Sequence, residues 1–225
     1  MYQKVTVSRL IVKMLNIQNF FTACTGVWTT ERIYHYLIDR QIERSYTEFR
    51  VTAIAPADKQ QILSISTLSG VKVEATKIAE SDAGLPGFAI AFDTRSETGE
   101  TVSMSLKALF VPDEYIELNE SLTEIPPPVA GRIDPSGEVI KGFYLRDEGY
   151  SEAGAILGRF TYQPIRQTLE MTTYYRRSVA VDQMRLVSPD LRLRTIVTYQ
   201  RPENITEPPS VIDLVGFGVE YRQPG

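Results

Sequence analysis

The stretch "SPDLRLRTIVTYQ", Ser188 to Gln200, sets two arginines one residue apart inside an otherwise apolar, β-prone run. Successive side chains of a strand point to opposite faces, so Arg192 and Arg194 share one face with Ile196. Two fixed cations on one strand face have two explanations. Either the face meets water, or it lines a cavity that takes an anion. The rest of the chain has to decide between them.

Composition limits the function classes. The 225 residues, 43% hydrophobic and 23% charged, can bury a real core as one large β domain or two small ones. Because the sequence shows no repeat and no linker, a single domain over residues 1–225 is predicted. A net charge of −4 argues against a nucleic-acid surface, which needs a dense basic face. The single cysteine, Cys24, and the single histidine, His35, leave no disulfide and no His cluster, so no metal site is predicted. We expect no membrane span and a cytoplasmic location.

The hydrophobic pattern is mostly of period two, which favours a mainly β fold. Asn16 before "IQNFFTAC" reads as the cap of one short helix that buries Phe20, Phe21 and Cys24. A second short helix is predicted at "APADKQQILSISTL". Strands are predicted at "VWTTERIYHYLIDRQI", "SYTEFRVTAI", "GFAIAFDT", "ETVSMSLKALFV", "GRFTYQP", "TLEMTTYYRR", "VDQMRLVS", "LRLRTIVTYQ" and "IDLVGFGVEYR". Many short strands with one early helix indicate an antiparallel barrel or sandwich.

The segment from Val111 to Val139 breaks this pattern. It holds a run of acids followed by three consecutive prolines, which cannot join a central strand ladder. We expect residues 111–139 to form a long, mobile surface loop or insertion.

Three further positions carry candidate chemistry. On its strand face Arg32 accompanies Trp28 and Tyr34, so it either stacks on them in water or lines an aromatic pocket. His35 points the other way and is expected to be structural or solvated. Asp182, in "SVAVDQMRL", is expected at a turn between strands.

Four stretches together resemble the S/U-type (CpcS/CpeS-like) phycobiliprotein lyase family. They are "NFFTAC" with "GVWTTER", "RDEGYSEAGAILGRF", "LEMTTYY" and "SPDLRLRT", and the similarity runs from Ile17 to Glu220. The resemblance implies a lipocalin-like, fatty-acid-binding-protein-like antiparallel β-barrel of about eight to ten strands, closed at one end by a short helix. The segment before Met14 has no counterpart in the family. Residues 1–13 are therefore expected to be a disordered extension, with Met14 as the true start.

The resemblance also implies a bilin-binding chromophore lyase, or a lyase subunit. Such a protein attaches a phycobilin such as phycocyanobilin to a cysteine of an apo-phycobiliprotein subunit by thioether formation. The bilin is the bound substrate and no cofactor is expected. Arg192, Arg194 and Arg32 would bind the bilin propionates. Trp28 and Tyr34 would lie against the tetrapyrrole.

In the same terms Asp182 is the candidate catalytic residue, an acid or counter-ion beside the pyrrole nitrogens. Family members often read "E-E-R-I-W-F" where this chain has Val181 to Leu186, so one acid is absent and the other is shortened. Binding is therefore better supported than independent catalysis. The alternatives are a non-catalytic partner subunit of a heteromeric lyase, or a carrier of a fatty acid or another amphiphilic carboxylate. A homodimer, or a heterodimer with a related subunit, is expected in the family.

Overall fold

Ten strands hydrogen-bond side by side in a closed antiparallel ring within the described part of the chain. The structure, a computed structural model, describes residues 14–68, 71–80, 84–117, 126–132, 137–149, 154–204 and 206–224. The ring strands are β1 (Gly26–Tyr36), β2 (Gln41–Ala53), β4 (Gly87–Ser96), β5 (Thr101–Pro112), β7 (Ile140–Arg146), β8 (Ile156–Gln163), β9 (Thr168–Tyr174), β10 (Ser178–Ser188), β11 (Leu191–Gln200) and β12 (Ile212–Arg222). The prediction of a mainly β antiparallel barrel is confirmed. The predicted extension, residues 1–13, lies outside the described residues.

The ring closes between the first and last strands. Strand β1 pairs with β2 on one side and with β12 on the other, from Trp28 opposite Arg222 to Tyr36 opposite Leu214. Full closure leaves the sheet without an edge to be protected. It also brings residues from the two ends of the chain onto one patch of the inner wall.

Helix α1 (Ile17–Ala23) plugs one end of the barrel. The Asn16 side chain accepts a hydrogen bond from the Asn19 backbone amide at 2.8 Å, which confirms the predicted cap. Seven residues are too few for a stable isolated helix, so packing must hold it. Phe20 lies 4.9 Å from Tyr162 and Phe21 lies 4.6 Å from Phe110, measured between ring centroids. The short N-terminal helix of the prediction is therefore present, and it forms the floor of the barrel.

A second apolar cluster lies on the outside of the barrel, under α2 (Pro56–Leu68) and α3 (Ala75–Glu80). It includes Ile62 of α2, Leu109 and Val111 of β5, and Ile116. Leu109 and Val111, toward the end of β5, are apolar although they face outward, because these helices cover them. None of the helices in the described ranges is long and apolar enough to cross a membrane.

The predicted loop over residues 111–139 starts too early. Val111 and Pro112 complete β5, and a single 3₁₀ turn leads to β6 (Ile116–Glu117), which pairs with β3 (Lys72–Val73). Further on, Ala130 donates its backbone amide to the Tyr199 hydroxyl at 3.1 Å and accepts from the Gln183 side chain at 3.1 Å. Residues 126–132 thus pack on the outer face of β10 and β11. Residues 118–125 and 133–136 lie outside the described residues.

Two local expectations were wrong. The predicted strand from Val27 to Ile42 is two strands, because Arg40 adopts a positive φ of 54° and reverses the chain between β1 and β2. Asp182 is not at a turn: it lies in the middle of β10, opposite Ile196 of β11 and Met171 of β9. It is compatible with a strand there because its carboxylate faces a cation inside the barrel.

Candidate functional site: an arginine cluster inside the barrel

The two arginines of the "LRLRT" strand both point into the barrel. The Arg192 side chain is 1% exposed and the Arg194 side chain 11% exposed, whereas Leu193 between them faces outward and is 40% exposed. The inner face of β11 carries the cations, and the outer face carries the apolar residues. Of the two explanations for the arginine pair, the solvent-facing one is wrong.

A buried glutamate contacts both of these arginines. Glu220 of β12 has no solvent exposure, and its Oε2 lies 2.9 Å from Arg192 Nε. Its Oε1 lies 3.1 Å from Arg194 Nε and 3.4 Å from Arg32 Nη2. The Arg192 contact is an ion pair without hydrogen-bond alignment, since neither atom has a hydrogen-bond partner among the described residues. Together with Asp182, which Arg194 also contacts, we call these five side chains the arginine cluster.

The cluster can form because β12 has glycines at the inward positions next to Glu220. The inward positions before Glu220 are Gly216 and Gly218, which stand opposite Tyr34 and Arg32 of β1. A Cβ at Gly218 would lie 3.1 Å from Arg32 Cγ, and a Cβ at Gly216 would lie 2.8 Å from Tyr34 Cδ1. The glycines leave the space that the β1 side chains occupy over β12.

Filling that space is expected to destabilise the barrel. A Gly216→Val substitution must displace the Tyr34 ring, and we expect it to lower the free energy of unfolding by about 1–3 kcal/mol. Urea unfolding checks this, with Val219→Thr on the outward face of the same strand as the control. That variant should stay within about 0.5 kcal/mol of wild type. Unchanged stability of the Gly216→Val variant would contradict the close packing.

The Glu220 carboxylate is held ionised. Burial alone would raise its pKa, but Arg194, Arg192 and Arg32 outweigh burial and hold the pKa at about 2. Burial has the opposite consequence for the Arg192 guanidinium, whose pKa is lowered despite its contact with Glu220. The buried carboxylate and the buried guanidinium each favour the charged form of the other.

This pKa makes stability depend on pH in a defined direction. The Glu220 pKa is lower in the folded protein than in the unfolded chain, so its contribution is fully present above about pH 5 and is lost as pH falls toward 2. Over that window we expect Glu220 to add up to about 1.4 kcal/mol per pH unit to the slope of unfolding free energy. Denaturant unfolding of wild type and Glu220→Gln between pH 5 and 2 measures the difference. Parallel curves would contradict it.

Arg194 links the buried glutamate to a more accessible carboxylate. Its Nη1 donates to both oxygens of Asp182 at 2.8 Å, while its Nε donates to Glu220. The Asp182 side chain is 27% exposed. Asp182 stands with Tyr34, Ile196 and Thr198 among the half-buried inward residues at the end of the barrel opposite α1, which we call the mouth. A ligand entering there would meet Asp182 and Arg194 together.

The remaining predicted residues differ in access. The Arg32 side chain is 18% exposed, and its Nη1 lies 3.4 Å from the Tyr34 hydroxyl, so both belong to the mouth side of the cluster. Trp28 is fully buried: Arg192 Cζ lies 3.7 Å and Arg222 Cζ 4.8 Å from its ring centroid. Its indole nitrogen donates to the Cys24 carbonyl at 3.1 Å. Trp28 therefore supports the cluster from behind in this structure and does not face open space.

Other candidate sites are weaker. A groove of about 320 Å³ on the outer face of β2, β4 and β5, lined in part by Arg50, Lys107 and Asp147, is separate from the cluster. In the described part of the chain, no three His, Cys, Asp or Glu side chains are placed to hold a metal ion. His35 faces outward, with its ring centroid 6.3 Å from that of Phe217. Burial raises the pKa of the Cys24 thiol, as is typical of an unreactive buried cysteine.

Glu220 is the residue of the arginine cluster that the sequence analysis missed. It follows the apolar stretch "IDLVGFG", and nothing near it in the sequence is cationic except Arg222. The available signal was the period-two series Gly216, Gly218, Glu220 on one strand face. It places two positions without side chains beside one carboxylate, in a strand whose other face is apolar.

A sequence model of the family described as CpeS-like protein matches residues 16–119 and 128–223. The chain belongs to the CpeS-like family. This CpeS-like chain is 39% identical over 204 residues to chromophore lyase CpcS/CpeS 1 of Synechococcus sp. (strain JA-3-3Ab), covering 91% of the chain and 95% of the relative. It is 25% identical over 181 residues to chromophore lyase CpcS/CpeS 2 of Synechocystis sp. (strain ATCC 27184 / PCC 6803 / Kazusa), covering 80% and 79%.

The same fold appears among solved structures. The S-type phycobiliprotein lyase CPES from Guillardia theta superposes with a TM-score of 0.63 at 18% identity, covering 94% of each chain. At that identity the likeness shows the fold, which agrees with the barrel described above. The family match leaves out residues 120–127, which fall within the predicted 111–139 insertion. The predicted family and barrel fold of this CpeS-like protein are therefore confirmed.

Proposed function

We propose that this chain is a phycobiliprotein chromophore lyase, which binds a phycobilin in the barrel and attaches it to a cysteine of a phycobiliprotein subunit. The relatives named chromophore lyases support the reaction. The observation that carries the proposal is the arginine cluster, which faces the inside of a barrel closed at one end by α1. A bilin joins a long conjugated body to two propionates, and this interior offers cations for a carboxylate beside half-buried aromatic and aliphatic walls.

The cations nearest the mouth are the proposed propionate ligands. Arg194 and Arg32 keep partial exposure, so a carboxylate reaches them without displacing the core. Arg192 is enclosed by Trp28 and Glu220, so we propose that it contributes its charge to the cluster without contacting the bilin. We propose that Tyr34, which contacts Arg32, lies against the tetrapyrrole, and that Trp28 stabilises the barrel wall behind it.

The proposed reaction needs no further cofactor. The acceptor thiol adds across the exocyclic double bond of the bilin A ring: sulfur bonds to the ethylidene carbon, and the proton ends on the bilin. Nothing is oxidised or reduced, and no group leaves. The lyase supplies orientation, and Asp182 supplies a carboxylate near the pyrrole nitrogens. The thiolate belongs to the acceptor, which fits an enzyme whose own Cys24 is buried.

The proposal predicts a coloured complex. Adding phycocyanobilin to the full chain should shift the visible spectrum with a saturable titration, and Arg194→Ala should weaken binding by about 1.5–3 kcal/mol because a charge-assisted contact is lost. Co-expression with bilin-synthesis enzymes and single phycobiliprotein subunits then tests transfer and identifies the acceptor. Saturable uptake of a fluorescent fatty acid with no effect of phycocyanobilin would favour the carrier alternative instead.

We also propose a second subunit, either another copy or a related lyase chain, in the cytoplasm of a cyanobacterial-type cell. The outer face of β1, β11 and β12 presents Ile33, Leu193, Phe217 and Val219 in register, each more than a third exposed. Contiguous exposed apolar side chains can mark an interaction surface, and we propose that these four do. A partner on this side wall would leave the mouth open to the acceptor. Sedimentation of wild type against Phe217→Arg tests it: one monomeric mass for both would contradict a homodimer.

A further inference from the structure

Glu220 has a role that its burial alone does not explain. It is a fully buried carboxylate contacted by guanidinium groups from both strands that flank β12. Arg32 and Arg194 share its Oε1, and both stand opposite Gly218, where no side chain separates them. A single carboxylate oxygen thus anchors the two arginines that face the mouth.

Glu220 fixes the orientation of the Arg194 and Arg32 guanidinium groups as well as their position. The Arg194 guanidinium is held at Nε by Glu220 and at Nη1 by Asp182, so both of its ends are tied. Arg32 is held between Glu220 and the Tyr34 hydroxyl in the same way. Without Glu220, both long side chains would lose the partner that lies on their α1 side.

The cluster also has a defined charge. Three guanidinium groups meet two carboxylates, so one positive charge is in excess. Arg192 is enclosed, and Glu220 is the carboxylate it contacts, so the surplus charge is carried by Arg32 and Arg194. Glu43, the inward carboxylate opposite Tyr34, accepts a hydrogen bond from the Tyr36 hydroxyl at 3.2 Å. Among the described residues it forms no ion pair with an arginine of the cluster.

We propose that Glu220 is a positioning residue that sets the charge of the site, so that the arginine cluster takes one propionate carboxylate and leaves the second propionate outside it. This inference rests on the proposed function. It predicts a site whose surplus charge matches one carboxylate. Replacing Glu220 by a neutral residue would leave a second positive charge without a partner, available to the other propionate. Replacing Arg192, which does not touch the ligand, by a neutral residue would remove the single surplus positive charge of the wild type.

The test compares phycocyanobilin with its monomethyl esters by visible titration of the full chain. In wild type the monoesters should bind within about threefold of the diacid, because one free carboxylate is enough. In Glu220→Gln the diacid should bind about tenfold more tightly than the monoesters, the scale of one charge-assisted contact. In the Arg192→Met/Glu220→Gln double variant the ratio should return to within about threefold. A merely structural glutamate would leave the ratio unchanged in all variants, and that result would overturn the inference.

Glu170→Gln is the matched control, since Glu170 is also a buried glutamate but lies on the outer face and accepts a hydrogen bond from Gln183. Its ratio should equal that of wild type. If Glu220→Gln does not fold, Arg192→Met carries the test: it should weaken both ligands about tenfold, and wild-type affinity in that variant would overturn the inference. A wild-type chain that binds no phycocyanobilin would instead contradict the proposed function itself.

Discussion

The Glu220→Leu variant is expected to lose about 3–5 kcal/mol of unfolding free energy, the cost of leaving a buried charge without its partner. Arg192 would remain 1% exposed with its guanidinium against the Trp28 ring and its counter-ion gone. Urea unfolding followed by far-UV circular dichroism measures the loss. The fluorescence of Trp28, the single tryptophan, reports on the cluster directly. Leucine fills much of the glutamate volume, so a cavity accounts for little of the change.

The double variant Arg192→Met/Glu220→Leu separates charge from packing. Replacing both members of a buried ion pair by apolar residues is often neutral or stabilising, so the pair should regain a large part of what Glu220→Leu loses. Arg194 would still have Asp182 as its partner. Additive losses in the two single variants and the double variant would show that Arg192 and Glu220 are not energetically coupled, against the 2.9 Å contact.

The parts of the fold that depend on local pattern could be predicted. Period-two alternation located the ring strands except β7 (Ile140–Arg146), which the sequence analysis did not predict, and Asn16 marked the start of α1. Alternation also decided which face of β11 carries Arg192 and Arg194, although it left open whether that face was inside. The closure of the ring by β1 and β12 settled it, because that pairing puts the inner wall around both arginines.

The parts of the site that depend on the pairing of distant strands could not be predicted from the sequence. Glu220 lies 188 residues from Arg32 along the chain, and only the pairing of Arg32 with Gly218 brings them together. The same limit explains Asp182, which local composition favours at a turn. Its place in β10 is stabilised by Arg194, and that contact follows from the β10–β11 register, which sets Arg194 opposite Met184.

The sequence also could not predict which of the inward side chains are exposed to solvent. Trp28 and Arg192 share the inner face with Arg32 and Arg194, and alternation treats all four alike. The structure separates them by depth: the first pair lies against α1 and the second toward the mouth. The early part of the 111–139 segment was misread for a related reason. Val111 and Ile116 are buried by α2 and its neighbours on the outside of the barrel, a surface that alternation assigns to solvent.

The mouth carboxylate gives the sharpest functional prediction. Asp182→Asn should slow transfer of the bilin to its acceptor by about 10²-fold or more, the usual scale for a lost acid–base group. Asparagine keeps the shape of the side chain and one acceptor oxygen for Arg194, and the arginine cluster gains one positive charge, so bilin affinity should not fall and should rise by up to about tenfold for the diacid. The removed charge is the one that we propose lies beside the pyrrole nitrogens. Visible titration measures affinity, and the bilin that stays on the denatured acceptor measures transfer.

Asp113→Asn is the matched control, because Asp113 also binds one arginine through both oxygens, Arg159 at 2.9 and 2.8 Å, but on the outer surface. It should transfer bilin at the wild-type rate, so that any loss in Asp182→Asn is specific to the barrel interior. Normal transfer by Asp182→Asn would remove its catalytic role and leave the arginine cluster as a binding device alone. If wild type transfers nothing by itself and a related second subunit restores transfer, the chain is the binding partner of a heteromeric lyase, and the acid that acts on the bilin belongs to the other subunit.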